Sequence, residues 1–305
     1  MADILRGGVI GAGVFGGYHA RQYARLGVLS AVYDTHPERA AKVAMPLGGR
    51  AFNDLEAFLE AVDVVTVASP ATHHAEQALA AIAAGKPVYV EKPIAISVAD
   101  AERVRVAAAA KRLVVACGHQ ERVTFQAIGL LDIPEQPLLL EALRHGPPSE
   151  RSRDVTAVLD LMVHDIDLCL AIAASDAVTA EAEGARGPDG VWDQVRTEVS
   201  FESGFTALFD VSRQAPERKR TMRIVYPSGE VEIDFVARTF RNSTPFALNP
   251  DFADTPAAAD PLGASVEGFL NAVRGLAPRP VVTIDEAIAA LDLAIAVEQA
   301  LEDAA

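Results

Sequence analysis

The strongest constraint on the fold is a glycine-rich turn set between two kinds of hydrophobic periodicity. GAGVFG, or Gly11-x-Gly13-x-x-Gly16, follows the apolar run GGVIG (7–11) and precedes a helical stretch that reaches Leu26, with Gly27 as its stop. A second β-branched run, VLSAVYD (28–34), ends in Asp34, 23 residues after Gly11. A glycine pattern alone says little. A strand before it, a helix after it and an acid about 20 residues on make the dinucleotide-binding fingerprint. Gly11 permits the tight turn, Gly13 lets the backbone approach a pyrophosphate, and Gly16 lets helix and strand pack closely. The helix start offers unpaired N–H groups and partial positive charge to phosphate. Candidate cofactor contacts are therefore Gly11, Gly13, Val14, Phe15, Gly16 and Asp34. Asp34 would accept bonds from ribose hydroxyls and repel a 2′-phosphate. Thr35, His36 and Pro37 bring no lysine or arginine after it, so NAD is favoured over NADP.

The same beat continues. Pro37 opens a helix at its first turn, and RAFN leads to DLEAFLEA (54–61). VDVVTVAS (62–69) is a continuous apolar strand of the kind buried on both faces of a parallel sheet. A helix over 75–85, the strand PVYVE (87–91), a helix over 98–112 capped by Ser97 and Asp100, and the strand LVVACGH (113–119) follow. Strands alternating with helices, joined by right-handed crossovers, make a doubly wound parallel sheet. Ligands bind such sheets outside the carboxyl ends of the strands. Ser69 and Pro70 with His74 lie at one such end, and Glu91-Lys92-Pro93 at the next, where a lysine beside a cofactor is well placed to meet substrate. On pattern alone, a lone histidine such as His74 is more often a helix-start or surface residue than a functional group, and Glu91-Lys92 is equally an ordinary surface ion pair.

The second half changes character. LLLEALRHG (138–146) reads as a strand and DLMVHDIDLCLAIAA (160–174) as a helix. RTEVSFES and FTALFDVS form a hairpin around Gly204, and a second hairpin turns at Ser228-Gly229 with period-two alternation in EVEIDF. Helices return over 265–275 and 284–303. Strand runs between helices predict an α+β domain with a large, mostly antiparallel open sheet.

In the helix from 160, Asp160, His164 and Asp167 are spaced i, i+4, i+7 and share one face of a regular helix. A carboxylate one turn from an imidazole can orient the ring and raise its basicity, which suits a general base. A solvated polar stripe explains the same spacing. Asp165 falls in the apolar sector and demands a buried partner that sequence does not name.

Composition narrows the partners. The chain has 305 residues, enough for two domains, and a net charge of −15. That field repels nucleic acid and anionic membrane surfaces. Cys117 and Cys169 form neither a disulfide framework nor a zinc motif, so no metal is expected. Their apolar settings suit buried thiols in a reduced, cytoplasmic compartment.

Taken together, GAGVFG, SPATHHAEQALAAIAAGKPVYVEKPIA and Asp160-x-x-x-His164 resemble the glucose–fructose oxidoreductase / inositol dehydrogenase / MocA family across nearly the whole chain. The resemblance implies a Rossmann domain over 1–121 and an α+β substrate and oligomerisation domain over 122–305, whose last helix can pack back on the first. It also implies a homodimer or homotetramer formed through the C-terminal sheet. It implies hydride transfer between a sugar or sugar-nucleotide alcohol and nicotinamide, with Lys92, His164 and Asp160 catalytic. By the same resemblance Asp160 and His164 would meet substrate, Lys92 the reacting hydroxyl and the nicotinamide ribose, and Ser69, Pro70, His74 and Glu91 would join the cofactor contacts near the nicotinamide; Arg122 is a substrate candidate by its place in sequence. GHQER (118–122) and LDLMVHDIDL (159–168) resemble a branch that oxidises UDP-N-acetylglucosamine at C3. Relatives there continue Phe-Asn-Pro, where this chain has Val123-Thr124-Phe125. Free-sugar or inositol dehydrogenase, or a non-catalytic sensor of the same fold, are the alternatives. For a nucleotide's second pyrophosphate, Arg122, Arg144, Arg151 and Arg153, then Arg213, Arg218, Lys219 and Arg220, are the nearest cations.

Overall fold

The computed structural model describes residues 5–149 and 155–304. The chain divides into two compact units, 1–120 with 260–288, and 121–259 with 289–305.

The first unit carries a parallel sheet of β1 (Gly7–Ile10), β2 (Leu29–Tyr33), β3 (Arg50–Phe52), β4 (Val64–Val67), β5 (Val88–Val90) and β6 (Val115–Cys117). Their spatial order is β3-β2-β1-β4-β5-β6. The order reverses between β1 and β4, the switch point where such sheets bind ligands. Helices α1 (Val14–Arg25), α2 (Pro37–Ala44), α3 (Leu55–Glu60), α4 (His74–Ala83) and α5 (Val98–Lys111) make the crossovers. Local chemistry sets their starts. The Asp54 carboxylate accepts from the Glu56 and Ala57 amides ahead of α3, and Ser97 Oγ accepts from the Asp100 amide ahead of α5.

A single cut near residue 121 misses one part of this unit. Residues 260–288 return to it. Val266, Phe269 and Leu270 are fully buried in a core with Val9, Tyr23 and Tyr89, and the Cys117 amide donates to Val282 O at 3.2 Å beside the sheet edge.

The second unit begins with α6 (Glu121–Ile128), a helix the sequence pattern had left unassigned, and contains a seven-stranded sheet. Its strands are β7 (Leu139–His145), β8 (Ala177–Arg186), β9 (Trp192–Phe201), β10 (Thr206–Ser212), β11 (Lys219–Tyr226), β12 (Gly229–Asp234) and β13 (Thr239–Asn242). The order is β13-β12-β11-β7-β10-β9-β8, antiparallel except for β7 beside β10. Both expected hairpins are present, β9–β10 and β11–β12. Edge strand β8 escaped the reading because most of it is exposed and AVTAEAEGAR has no apolar alternation. Between β7 and β8 the chain makes a single π turn (Val158–Met162) that runs into α7 (Val163–Ala173). Short α8 (Pro256–Ala259) precedes α9 (Pro261–Val273), and α10 (Ile284–Asp303) ends the fold. Among the described residues, no helix is long and apolar enough to cross a membrane.

Candidate active site

The turn between β1 and α1 has the geometry that a pyrophosphate requires. Gly11 sits at φ +95°, and a Cβ there would lie 2.8 Å from Ala68 O and from Ser69 N at the end of β4. A Cβ on Gly16 would be driven to 1.7 Å from Gly11 O. Gly13 has no heavy atom within 4 Å of its Cβ position, so the turn is open where a ligand must approach. Among the described residues no side chain caps α1, and its first turn holds no acid. Its leading N–H groups are therefore available to an anion. Val14 and Phe15 are exposed beside them. Asp34 Oδ2 accepts from the Ala12 amide at 2.8 Å and Oδ1 from the His36 amide at 2.9 Å. This fixes a carboxylate next to the turn, as recognition of ribose hydroxyls requires. These residues fit a dinucleotide.

At the ends of β4 and β5 the structure separates residues that sequence had grouped. Lys92 is half-buried and Pro70 exposed, whereas His74 and Glu91 turn inward. Glu91 Oε1 takes hydrogen bonds from His19 Nε2 at 2.6 Å and Gln120 Nε2 at 2.7 Å. Gly118 leaves the space for this, because a Cβ there would meet the Glu91 carboxylate at 2.8 Å. Burial alone would raise the Glu91 carboxyl. The His19 hydrogen bond, with the charges of His19, Lys92 and His74, outweighs it and holds the group below the ordinary carboxylate range. His74 is 2% exposed, with both ring nitrogens against backbone carbonyls. His74 and Glu91, expected to touch cofactor, are both buried and bound to protein. Ser69 Oγ donates to Gln77 Oε1 at 2.7 Å.

In the second unit, Asp160 and His164 are the half-exposed polar groups of the π turn and α7, while Asp165 and Asp167 are buried. The i+5 turn at Val158–Met162 places an extra residue in the helix entry. The regular 100° spacing that put Asp160, His164 and Asp167 on one face does not hold there. Asp160 Oδ2 lies 3.8 Å from Arg213 Nη1, and Arg213 is itself held by Asp193, with Nη2 2.5 Å from Oδ1.

The arginines are placed differently from the expectation. Arg122, read as a substrate contact, is 5% exposed and donates from Nη2 to Asp167 Oδ1 at 2.7 Å and from Nε to Oδ2 at 3.1 Å. Arg144 is 1% exposed and supplies the partner that Asp165 demanded, with contacts of 2.7 and 2.8 Å, while also binding Glu121. Both cations serve buried carboxylates. Arg213 is likewise engaged. Arg151 and Arg153 lie outside the described residues. Arg220 is half-buried, with Nη1 3.4 Å from Glu121 Oε1 and Nε lacking any acceptor. Burial and the charge of Arg144 draw its pKa down to about 10.

The sheet's other face is lined by charged residues of alternating sign, with Arg223 Nη1 2.7 Å from Glu141 and Arg223 Nη2 2.7 Å from Glu230. It encloses a hollow of about 1010 Å³ that includes Arg196 and Asp210. Asp165 binds the inward-pointing Arg144, so α7 lies on the opposite face and this hollow is not the site of His164.

Sequence reasoning missed His19, Gln120 and Asp193. His19 had a readable signal, since it shares the buried stripe of α1 with Gly16, Ala20 and Tyr23 at helical spacing. Gln120 and Asp193 become visible only when strand ends are brought together in space.

The comparisons accord with this architecture. Residues 5–119 match the model of an oxidoreductase family with an NAD-binding Rossmann fold, and residues 141–232 match the GFO/IDH/MocA C-terminal domain. The UDP-N-acetylglucosamine 3-dehydrogenase of Acidithiobacillus ferrooxidans is 34% identical over 98% of this chain and 99% of its own. A crystal structure of that enzyme superposes with a TM-score of 0.88 at 32% identity, covering 99% of both chains. An inositol 2-dehydrogenase of Pseudomonas syringae is 34% identical over 58% of this chain and 57% of its own. The chain belongs to the Gfo/Idh/MocA family of NAD-binding oxidoreductases.

Proposed function

We propose that this protein is an NAD-dependent dehydrogenase that oxidises the C3 hydroxyl of UDP-N-acetylglucosamine. The observation that carries the reading is the 34% identity to a UDP-N-acetylglucosamine 3-dehydrogenase over 98% of the chain. The inositol 2-dehydrogenases match only about three fifths of it.

NAD, when bound, accepts hydride at nicotinamide C4, and the protein supplies binding, orientation and proton removal. The open turn at Gly13 and the uncapped start of α1 receive the pyrophosphate, and Asp34 accepts from ribose hydroxyls. The secondary alcohol carbon gives up hydride, and its hydroxyl proton passes to the His164 imidazole. Asp160, with Arg213 beside it, is the carboxylate that orients substrate or ring. Lys92 donates a charge-assisted hydrogen bond to the developing alkoxide, and the product is the 3-keto sugar.

A panel of UDP-sugars, free sugars and inositols with NAD, followed at the absorbance of reduced nicotinamide, tests the reading. Reduction with UDP-N-acetylglucosamine is expected. Reduction with inositol alone would replace the substrate, and none with any alcohol would favour a sensor. General base removal is worth about 10²–10⁴-fold, so His164→Ala lowers kcat by that order with NAD binding intact. An unchanged kcat would end the His164 role.

The same reading includes a homodimer or homotetramer formed through the outer face of the seven-stranded sheet. Its interleaved Glu and Arg side chains suit a copy of themselves, and sedimentation of Arg223→Glu tests it. It also includes a cytoplasmic location, which the two buried free cysteines support.

A further inference from the structure

His74 begins α4 with its ring buried. Its Nδ1 lies 2.7 Å from the carbonyl oxygen of Pro93, and its Nε2 lies 2.9 Å from the carbonyl oxygen of Ser69. The two carbonyls come from different strand ends. Ser69 follows β4, and Pro93 follows Lys92 just beyond β5. A carbonyl oxygen only accepts, so each contact calls for a ring N–H. An imidazole with two N–H groups is an imidazolium.

A buried cation requires a counter-charge. Glu91, ionised and buried in the same cluster, provides it. Lys92 is the other charged group acting on the ring, and it opposes the proton, as burial does. Burial is the strongest influence and draws the imidazole's pKa down, against the two carbonyls and Glu91. The second N–H is therefore the one lost as pH rises, and with it one end of the link.

We propose that His74 is a positioning residue, an imidazolium brace that ties the Ser69 carbonyl to the Pro93 carbonyl and so fixes the backbone presenting Lys92. The proposal rests on the reading of Lys92 as the alkoxide-stabilising group. It reassigns His74 from ligand contact to support, and it explains why a histidine rather than a one-ended donor stands there. Asparagine or glutamine presents a single nitrogen and an oxygen that would face a carbonyl.

His74→Ala opens a ring-sized space that a small base can refill. Misplacement of a positioned group by about 1 Å can cost about 10²-fold, so kcat with UDP-N-acetylglucosamine falls by up to that factor while NAD affinity is unchanged. Added imidazole restores kcat, more so at acidic pH. Protonated 1-methylimidazole has only one N–H, and it does not restore activity. Equal rescue by both bases, or an unchanged kcat in His74→Ala, overturns the brace. Lys92→Ala separates the two ideas: if it retains full kcat, the Lys92 reading fails on its own account. Should His74→Ala fail to fold, ¹⁵N spectra of the wild-type protein decide the matter. Because burial lowers the pKa, the spectra are followed from neutral into acidic pH: two protonated ring nitrogens on His74 are expected on the acidic side, and a single N–H throughout refutes the brace.

Discussion

A series of glycine-to-alanine changes in the first turn of α1 separates steric packing from ligand approach. At Gly16 the added methyl would sit 1.7 Å from Gly11 O, whereas an ordinary carbon–oxygen contact is about 3.4 Å. The helix start must therefore withdraw by roughly 1.7 Å, which stretches an N–H···O bond of about 2.9 Å beyond 4 Å and abolishes it. A hydrogen bond to a charged acceptor is worth about 1.5–3 kcal/mol, so each lost pyrophosphate contact weakens NAD by about 10- to 150-fold. Gly13→Ala meets no protein atom within 4 Å. It leaves stability unchanged and weakens NAD only by standing in the ligand's path. Gly17→Ala also meets nothing, and Gly17 lies inside α1. It gains about 0.8–1 kcal/mol of helix propensity with NAD affinity intact. Calorimetric NAD titration and urea unfolding of the three variants provide both readouts. If Gly16→Ala binds NAD like wild type, or Gly17→Ala weakens it equally, the packing argument is wrong.

Two further outcomes follow from the buried charges. Glu91 has a lowered pKa in the folded protein, so its contribution to stability is present above the ordinary carboxylate value and is lost as pH falls through the lowered one. His19→Ala removes the main offset to burial, raises the Glu91 pKa and moves acid unfolding to higher pH; circular dichroism against pH checks the shift, and an unmoved midpoint refutes it. Arg122→Ala strips buried Asp167 of its bidentate partner and costs about 3–5 kcal/mol in denaturant unfolding. It also changes KM for UDP-sugars and free sugars alike, whereas a rise confined to UDP-sugars would return Arg122 to phosphate binding.

The first unit was largely legible because its signals are local. Glycine spacing, the acid after the second strand, and apolar runs bounded by turns all act within one crossover. The return of residues 260–288 was not legible, since nothing in SVEGFLNAVRG says which apolar surface its buried face will meet. In the second unit the hairpins at Gly204 and Ser228-Gly229 were readable from turn chemistry, but β8 was not, because an exposed edge strand carries no hydrophobic period. The site was legible by residue type and illegible by direction. Glu91, His74 and Arg122 were found, yet whether a polar side chain faces ligand or a buried partner depends on groups far off in sequence. His19 is 72 residues from Glu91, and Asp167 is 45 from Arg122.

The segments GHQER and LDLMVHDIDL, which carry the resemblance to one branch, face each other in space through two sets of ion pairs. Glu121 and Asp165 hold Arg144 from two sides, and Arg122 grips Asp167. Together they tie α6 and β7 to α7. Removing one member of such a set leaves an uncompensated buried charge, so the two sets fix the rotation of α7 about its own axis. That rotation turns Asp165 and Asp167 inward and leaves His164, with Asp160 in the π turn before it, as the half-exposed groups. The chain's departure at Val123-Thr124-Phe125 then takes on a different weight. Val123 and Phe125 are buried, and Phe125 stacks on Phe235 at 6.5 Å. Thr124 between them is half-buried, so two of the three altered residues belong to the packed side of α6 and bear on how the helix seats.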